Sequence, residues 1–370
     1  MLQVQRIANF LSLDILGARW NELCHDQPFR RFEWLGSWAE TYVRDGELYV
    51  LEARDNGNLV GLMPLFRDNS ASQGRVLRWA GSGEVCTDYL GIMARQEDRS
   101  NVVSAFAGWL VEASRIREHG WDVLQLDAVD NEEESIVELQ QCLGELGCTF
   151  HDEPGMNCWR IQLPETWDEY LARMSKSHRK QIKRAERRFG GDLSTEILSV
   201  ADERSFARGM EVLVQLHQKR RIRLGEPGCF ASKRFSTFLH TAALRLLSSG
   251  LLRLTWAEVA GEPIACEFQL AGRSMTYAYQ AGVDPDRMEL EPGRVIMIAT
   301  IKDAIARGHT AFDFLRGDEP YKAHWRATPR ATKNIRIVAP TTGSQLRHGI
   351  WLAGSSFKGF VKSKVSSSGS

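Results

Sequence analysis

The sequence predicts an α/β (α+β) protein of two tandem modules, each a mixed, twisted sheet flanked by helices. Three observations carry this expectation. The chain has 370 residues, more than one ordinary core accommodates and enough for two. Its residues are 43% hydrophobic and 25% charged, with a mean hydropathy of -0.31, which is globular rather than disordered. One order of elements also occurs twice along the chain.

The repeat begins with Leu48 to Phe66, LYVLEARDNGNLVGLMPLF, which reads as strand, glycine-containing turn, strand. Leu252 to Leu270, LRLTWAEVAGEPIACEFQL, reads the same way, with Gly57 and Gly261 at matching positions, and each segment predicts a hairpin. A third strand, an amphipathic helix and an apolar strand follow each hairpin. In the first half the helix and strand are Val102 to Gly120 and VLQLDAV; in the second they are Gly293 to Gly308 and TAFDFL. Gly120 and Gly308 are expected to stop the helices, because glycine takes the left-handed conformation of a C-cap. Between the halves NCWRIQL predicts a strand, and a strongly basic helix follows it. The modules are therefore expected at residues 1–160 and 161–340. Residues 341–370 form an amphipathic, basic tail, with Leu346, Ile350, Phe357 and Val361 on one side and Lys358, Lys362 and Lys364 adding charge, a candidate peripheral membrane or scaffold contact.

Forty-seven basic residues balance forty-seven acidic ones, so no global field draws the chain to nucleic acid, DNA included, or to an anionic membrane, and any polyanion site is local. The seven cysteines show no CxxC or zinc-type spacing, which fits a reducing compartment and no metal. The N-terminus lacks the charged and apolar regions of a signal peptide, and no run of eighteen apolar residues predicts a transmembrane span. A cytoplasmic location is the expectation.

The chemistry is expected between Met275 and Trp325. Pro292-Gly293 sits where a helix begins, and proline in the first turn loses no hydrogen bond. The amides from Gly293 to Ile296, Val295 among them, are then expected as free donors at the positive end of a helix dipole, suited to a pyrophosphate, with Arg294 adding charge. Asp313, between Phe312 and Phe314, and Glu267, between Cys266 and Phe268, each alternate with apolar neighbours, so either carboxylate is a candidate base or else a paired structural acid. His217 and Arg221 lie one helical turn apart, a second place for a titratable group beside a cation.

In order and spacing, LHQKRRIRLGEPGCF, EPIACEFQL, YAYQAGVDP, EPGRVIMIATIKDAIARG and FDFLRGDEPYKAHW resemble the acetyltransferase family associated with cellulose and other exopolysaccharide biosynthesis, itself related to the Fem aminoacyl transferases. The resemblance implies two GNAT-like domains, with acyl-CoA (acetyl-CoA or another) in the splay between YAYQAGV and TAFDFL and its pyrophosphate on the Pro292-Gly293 helix. Tyr279 and Gln280 would then touch the donor, and Arg316 and Tyr321 the substrate. Tyr321-Lys322, followed by Trp325, is similar to an aromatic-Lys element near the end of Fem proteins, which implies Lys322 at the transfer centre. The glycine-rich GNAT signature is absent here, only one glycine standing in the loop.

Residues Arg173 to Arg188 hold eight Lys or Arg against one acid. Lys176, Arg179, Lys180, Lys183, Arg184, Arg187 and Arg188 share about half the helix circumference, and so dense a run suggests a phosphate-bearing ligand, with Arg179 and Lys176 as contacts. The N-terminal half has no Pro-Gly helix start. Its expected part is a wall of the acceptor cleft, where Asp88 would meet a polar substrate and Trp34, Trp38 and Trp79 would stack on a sugar. Three functions remain open at this point: acyl transfer from acyl-CoA to an amine or hydroxyl of a small or envelope-polysaccharide precursor, a Fem-like transfer from aminoacyl-tRNA, and a non-catalytic scaffold.

Overall fold

The computed structural model describes residues 2–43, 47–192 and 195–353. Strands are β1 (Gln3–Ile7), β2 (Leu48–Asp55), β3 (Asn58–Ser70), β4 (Gly74–Trp79), β5 (Met93–Ala94), β6 (Val123–Asp130), β7 (Thr149–Pro154), β8 (Cys158–Gln162), β9 (Thr195–Ser199), β10 (Leu252–Val259), β11 (Glu262–Ala271), β12 (Met275–Val283), β13 (Ala311–Arg316), β14 (Thr328–Arg330) and β15 (Thr332–Val338). The helices are α1 (Phe10–Asp14), α2 (Gly17–Glu22), α3 (Phe32–Tyr42), α4 (Arg99–Ser114), α5 (Glu134–Glu145), α6 (Trp167–Ala172), α7 (Lys176–Arg187), α8 (Glu203–Arg223), α9 (Lys233–Ser248), α10 (Pro292–Ala306) and α11 (Tyr321–His324).

Two compact units result, Met1–His25 with Phe29–Gly155 and Thr332–Ser370, and Asp26–Pro28 with Met156–Ala331. The first holds a mixed sheet ordered β1-β2-β3-β4-β6-β15-β7, with β5 on β3; the second holds β14-β8-β13-β12-β11-β10-β9. Both hairpins form as the sequence indicates. Asn56-Gly57 and Ala260-Gly261 take positive φ in the two tight turns, closing Asp55 on Asn58 and Val259 on Glu262. The repeated order is real: three antiparallel strands, a helix, and a strand that returns parallel, β4 beside β6 and β12 beside β13.

Three details differ from the sequence reading. Residues 332–338, expected with the second module, are β15 of the first sheet, paired with β6 and β7. Helix α4 ends at Ser114, where the amides of Arg115 and Ile116 turn to carbonyls three residues back, well before Gly120. Gly120 lies beyond the helix, with the Arg75 guanidinium packed over it. Gly308 does cap α10, with φ 76° and the His309 amide reaching back to Ala304.

Each unit is held by its own aromatic core, Trp34, Trp79 and Trp121 in the first, Phe235, Phe238 and Phe268 in the second, each contributing on the order of 2 kcal/mol or more. Trp34, Trp38 and Trp79 are at most 2% exposed and Trp34 donates to Thr87, so none offers a ring face to a sugar. No helix of the described residues is long and apolar enough to cross a membrane. The tail residues Phe357, Lys358, Val361, Lys362 and Lys364 lie outside the described residues.

Candidate active site

Strands β12 and β13 pair in parallel only from Met275 opposite Ala311 to Tyr277 opposite Asp313. Beyond that point β12 stays with β11, while β13 shifts register against β8. Two irregularities mark the divergence: Tyr279 is the extra residue of a bulge on β12, and Leu315 takes φ 59° on β13. Into this region opens a cavity of about 770 Å³, walled by the N-terminal ends of α7 and α10, the C-terminal end of α8, β11, β12 and α11. Its size suits a cofactor-scale ligand.

Four of the residues expected in the site line this cavity: Glu267, Gly293, Arg294 and Tyr321. Glu267 is 6% exposed on β11, and burial pushes its carboxyl up from 4.5 to about 8, because a low-dielectric wall penalises the charged form. Desolvation, and then the neighbouring charge of Glu267, holds the Tyr321 phenol above its ordinary value. Gly293 follows Pro292 in the first turn of α10, after Glu291 enters with φ 49°. Its N–H has no hydrogen-bond partner among the described residues, and a Cβ on it would meet nothing within 4 Å.

The neighbouring amides behave otherwise than expected. Arg294 and Val295 both donate to the Glu291 carbonyl, at 2.8 and 3.2 Å, because the N-cap carbonyl accepts the first bonds of the helix. The Arg294 guanidinium is engaged as well, by Glu291 and by Gln181 at 3.2 Å. Pro292 and Val295 are buried, Val295 in the core between α10 and β11.

The remaining candidates lie elsewhere. Lys322 is 2% exposed, and its ammonium donates to the carbonyls of Leu315, Arg316 and Gly317 at 3.2, 3.0 and 2.8 Å and pairs with Glu319 at 2.9 Å. Those acceptors take every proton it has, so it fastens the loop after β13, Arg316 included, and does not face the cavity. Asp313 is fully buried, accepting from Arg160 at 2.8 Å and from the Leu315 amide at 2.7 Å, which is a structural pair at the register shift. His217 is buried against Phe230, with its ring nitrogens at Gln218 and Cys229, and Arg221 pairs with Glu226. Tyr279 and Gln280 are half-buried on β12 outside the cavity lining; the exposed Lys176 and the half-buried Arg179 on α7 lie outside it too. Asp88 is buried in the first unit.

The cavity also gathers residues that the sequence did not single out. His178 and His324 meet edge to face with ring centroids 6.2 Å apart, and His178 lies 5.7 Å from Trp325. Desolvation, then the charges of Arg294, His324 and Arg326, depresses His178. The Tyr170 hydroxyl fixes this corner by donating to the Trp325 carbonyl at 2.7 Å. Three arginines line the wall; Arg223 pairs with Asp286 and Arg294 with Glu291, whereas Arg220 carries no ion pair among the described residues. A helical wheel sets His178 on the apolar face of α7 with Ile182 and Ala185, and Gln181 between that face and the cations, so a titratable ring on an apolar face is the signal that marks the site in the sequence.

Comparison with known proteins agrees with this geometry. Residues 176–323 match the family model described as acetyltransferase (GNAT) domain, which contains every cavity-lining residue except Ser175, His324 and Trp325. A crystal structure of FemX aligns over 93% of this chain and 99% of its own, with a TM-score of 0.64 at 10% identity. The structure of L-PGS from Bacillus licheniformis covers 94% of this chain and 97% of its own, with a TM-score of 0.53 at 11% identity. A conserved protein of unknown function from Bacteroides thetaiotaomicron VPI-5482 covers 91% and 100%, with a TM-score of 0.54 at 12% identity. No curated protein matches the chain by sequence. At these identities the likenesses show the fold alone, a mixed α/β molecule of two sheets flanked by helices, in which residues 176–323 match the acetyltransferase (GNAT) domain model.

Proposed function

We propose that the second unit moves an acyl group from acyl-CoA to an amine or hydroxyl of a small or envelope-polysaccharide precursor, with Glu267 as general base. The observation that carries this reading is a carboxyl buried on the wall of a cavity beside two diverging parallel strands, where desolvation raises it to about 8. The residues present suit an acyl-CoA. The unpaired Gly293 amide at the positive end of α10 suits its pyrophosphate, and the Arg220 guanidinium suits a second anionic group. When bound, the thioester supplies an activated carbonyl and a thiolate leaving group.

This chain's own part is proton handling. Glu267, once ionised, takes the proton of the attacking nitrogen or oxygen. Tyr321 stays protonated throughout the working range and remains a hydrogen-bond donor at the same wall. Because the base must be a carboxylate, turnover rises with pH and levels off above about 8. The thiol released from acetyl-CoA, measured with a panel of amines and hydroxyl compounds, tests the reading. Glu267→Gln is expected to lower the rate by about 10²–10⁴-fold with acetyl-CoA binding retained, and an unchanged rate contradicts the assignment.

A second reading has aminoacyl-tRNA as the donor, and it is favoured by the cationic face of α7. Release of thiol from acetyl-CoA without RNA separates it from the first. A cytoplasmic location suits either donor.

A further inference from the structure

Helix α7 carries six cations without partners. Lys176, Arg179, Lys180, Lys183, Arg184 and Arg187 fall on about 140° of its circumference at 100° per residue, along roughly 16 Å of axis. None of them forms an ion pair or side-chain hydrogen bond among the described residues, and all but the half-buried Arg179 are exposed. The helix's one acid, Glu186, is held off this stripe by Lys302 at 2.5 Å and by the Trp167 indole at 3.0 Å. Like charges packed this densely repel one another, and in a chain of zero formal charge nothing on the helix relieves them.

The surroundings point to one class of counter-surface. Ser177, His178 and Gln181 continue round the helix from the stripe into the cavity wall, so stripe and cavity mouth are neighbours. At that mouth Leu224 is 60% and Met288 57% exposed. Cations flanking exposed aliphatic side chains match a membrane surface, where charge meets lipid phosphates and apolar groups enter the interface. The stripe itself has no aromatic residue on which nucleic-acid bases would stack.

We infer that α7 and the cavity mouth dock the second unit on an anionic lipid surface, which brings an amphiphilic acceptor to the cavity. The docking stands on the charge pattern and the exposed aliphatic side chains; only its consequence for the acceptor rests on the transferase reading. Co-sedimentation of the full chain with vesicles, in the absence of any acyl-CoA, tests it. The chain is expected to bind phosphatidylglycerol-containing vesicles at low salt, to release at high salt, and to ignore pure phosphatidylcholine. The triple variant Lys180→Glu, Lys183→Glu, Arg184→Glu is expected to weaken binding by about a hundredfold, from roughly fivefold per cation. Its melting temperature and acetyl-CoA affinity serve as fold controls. Leu224→Ser with Met288→Ser is expected to weaken binding further at constant charge. Equal binding to both vesicle types, an undiminished triple variant, or capture of single-stranded RNA without vesicle binding overturns the inference.

Discussion

A carboxyl raised by burial from 4.5 to about 8 keeps its proton in the folded chain where the unfolded chain has lost it. The stability this contributes is complete below pH 4.5 and is lost as pH rises through about 8. In calorimetry the melting temperature of the wild type is therefore expected to fall across that window relative to Glu267→Gln, which cannot ionise; parallel curves for the two proteins contradict the buried acid. Activity runs the other way and rises over the same range, so rate and stability oppose each other through one group. Lys322→Ala leaves three loop carbonyls and Glu319 without their cation and is expected to cost about 3 kcal/mol in denaturant unfolding. A loss below about 0.5 kcal/mol contradicts the fastening role. Glu267 and Tyr321 were legible as site candidates because strand alternation and local motif place them. Lys322 and Asp313 looked equally apt, yet Asp313 is claimed by Arg160, far back in the sequence, and Lys322 by carbonyls at the end of β13 and just after it, which converge on it only once the chain turns there.

The start of α10 decides how a cofactor is held. An aspartate at position 293 enters open space at the positive end of the helix dipole, so Gly293→Asp is expected to leave the melting temperature unchanged or slightly raised. The same carboxylate repels a pyrophosphate there, and acetyl-CoA affinity is expected to drop at least tenfold by calorimetric titration. A variant that unfolds or that binds normally contradicts the placement. Most elements were legible because their signals are local: the Asn56-Gly57 and Ala260-Gly261 turns, Pro292 at the head of α10 and Gly308 at its end. Strand β15 escaped because its partner β6 lies some two hundred residues earlier, with Ile335 opposite Leu126. The His178 and His324 pair escaped for the same reason, α7 and α11 being joined only by tertiary packing.

Across the whole molecule a single order of strands and helices was used twice, and each sheet keeps one parallel pair, β4 with β6 and β12 with β13. The copies diverge at the helix that follows the third strand. Helix α4 starts after Asp98 with no proline and no side-chain cap, while α10 starts with Glu291 in the left-handed region, then proline and glycine. A full chain is accordingly expected to take up one equivalent of acyl-CoA and not two. Calorimetric titration of acetyl-CoA into wild type, Gly293→Asp and Glu267→Gln tests the central claim most directly. The account predicts one site, weakened in Gly293→Asp and intact in Glu267→Gln; absence of binding in the wild type, or equal affinity in all three, contradicts it.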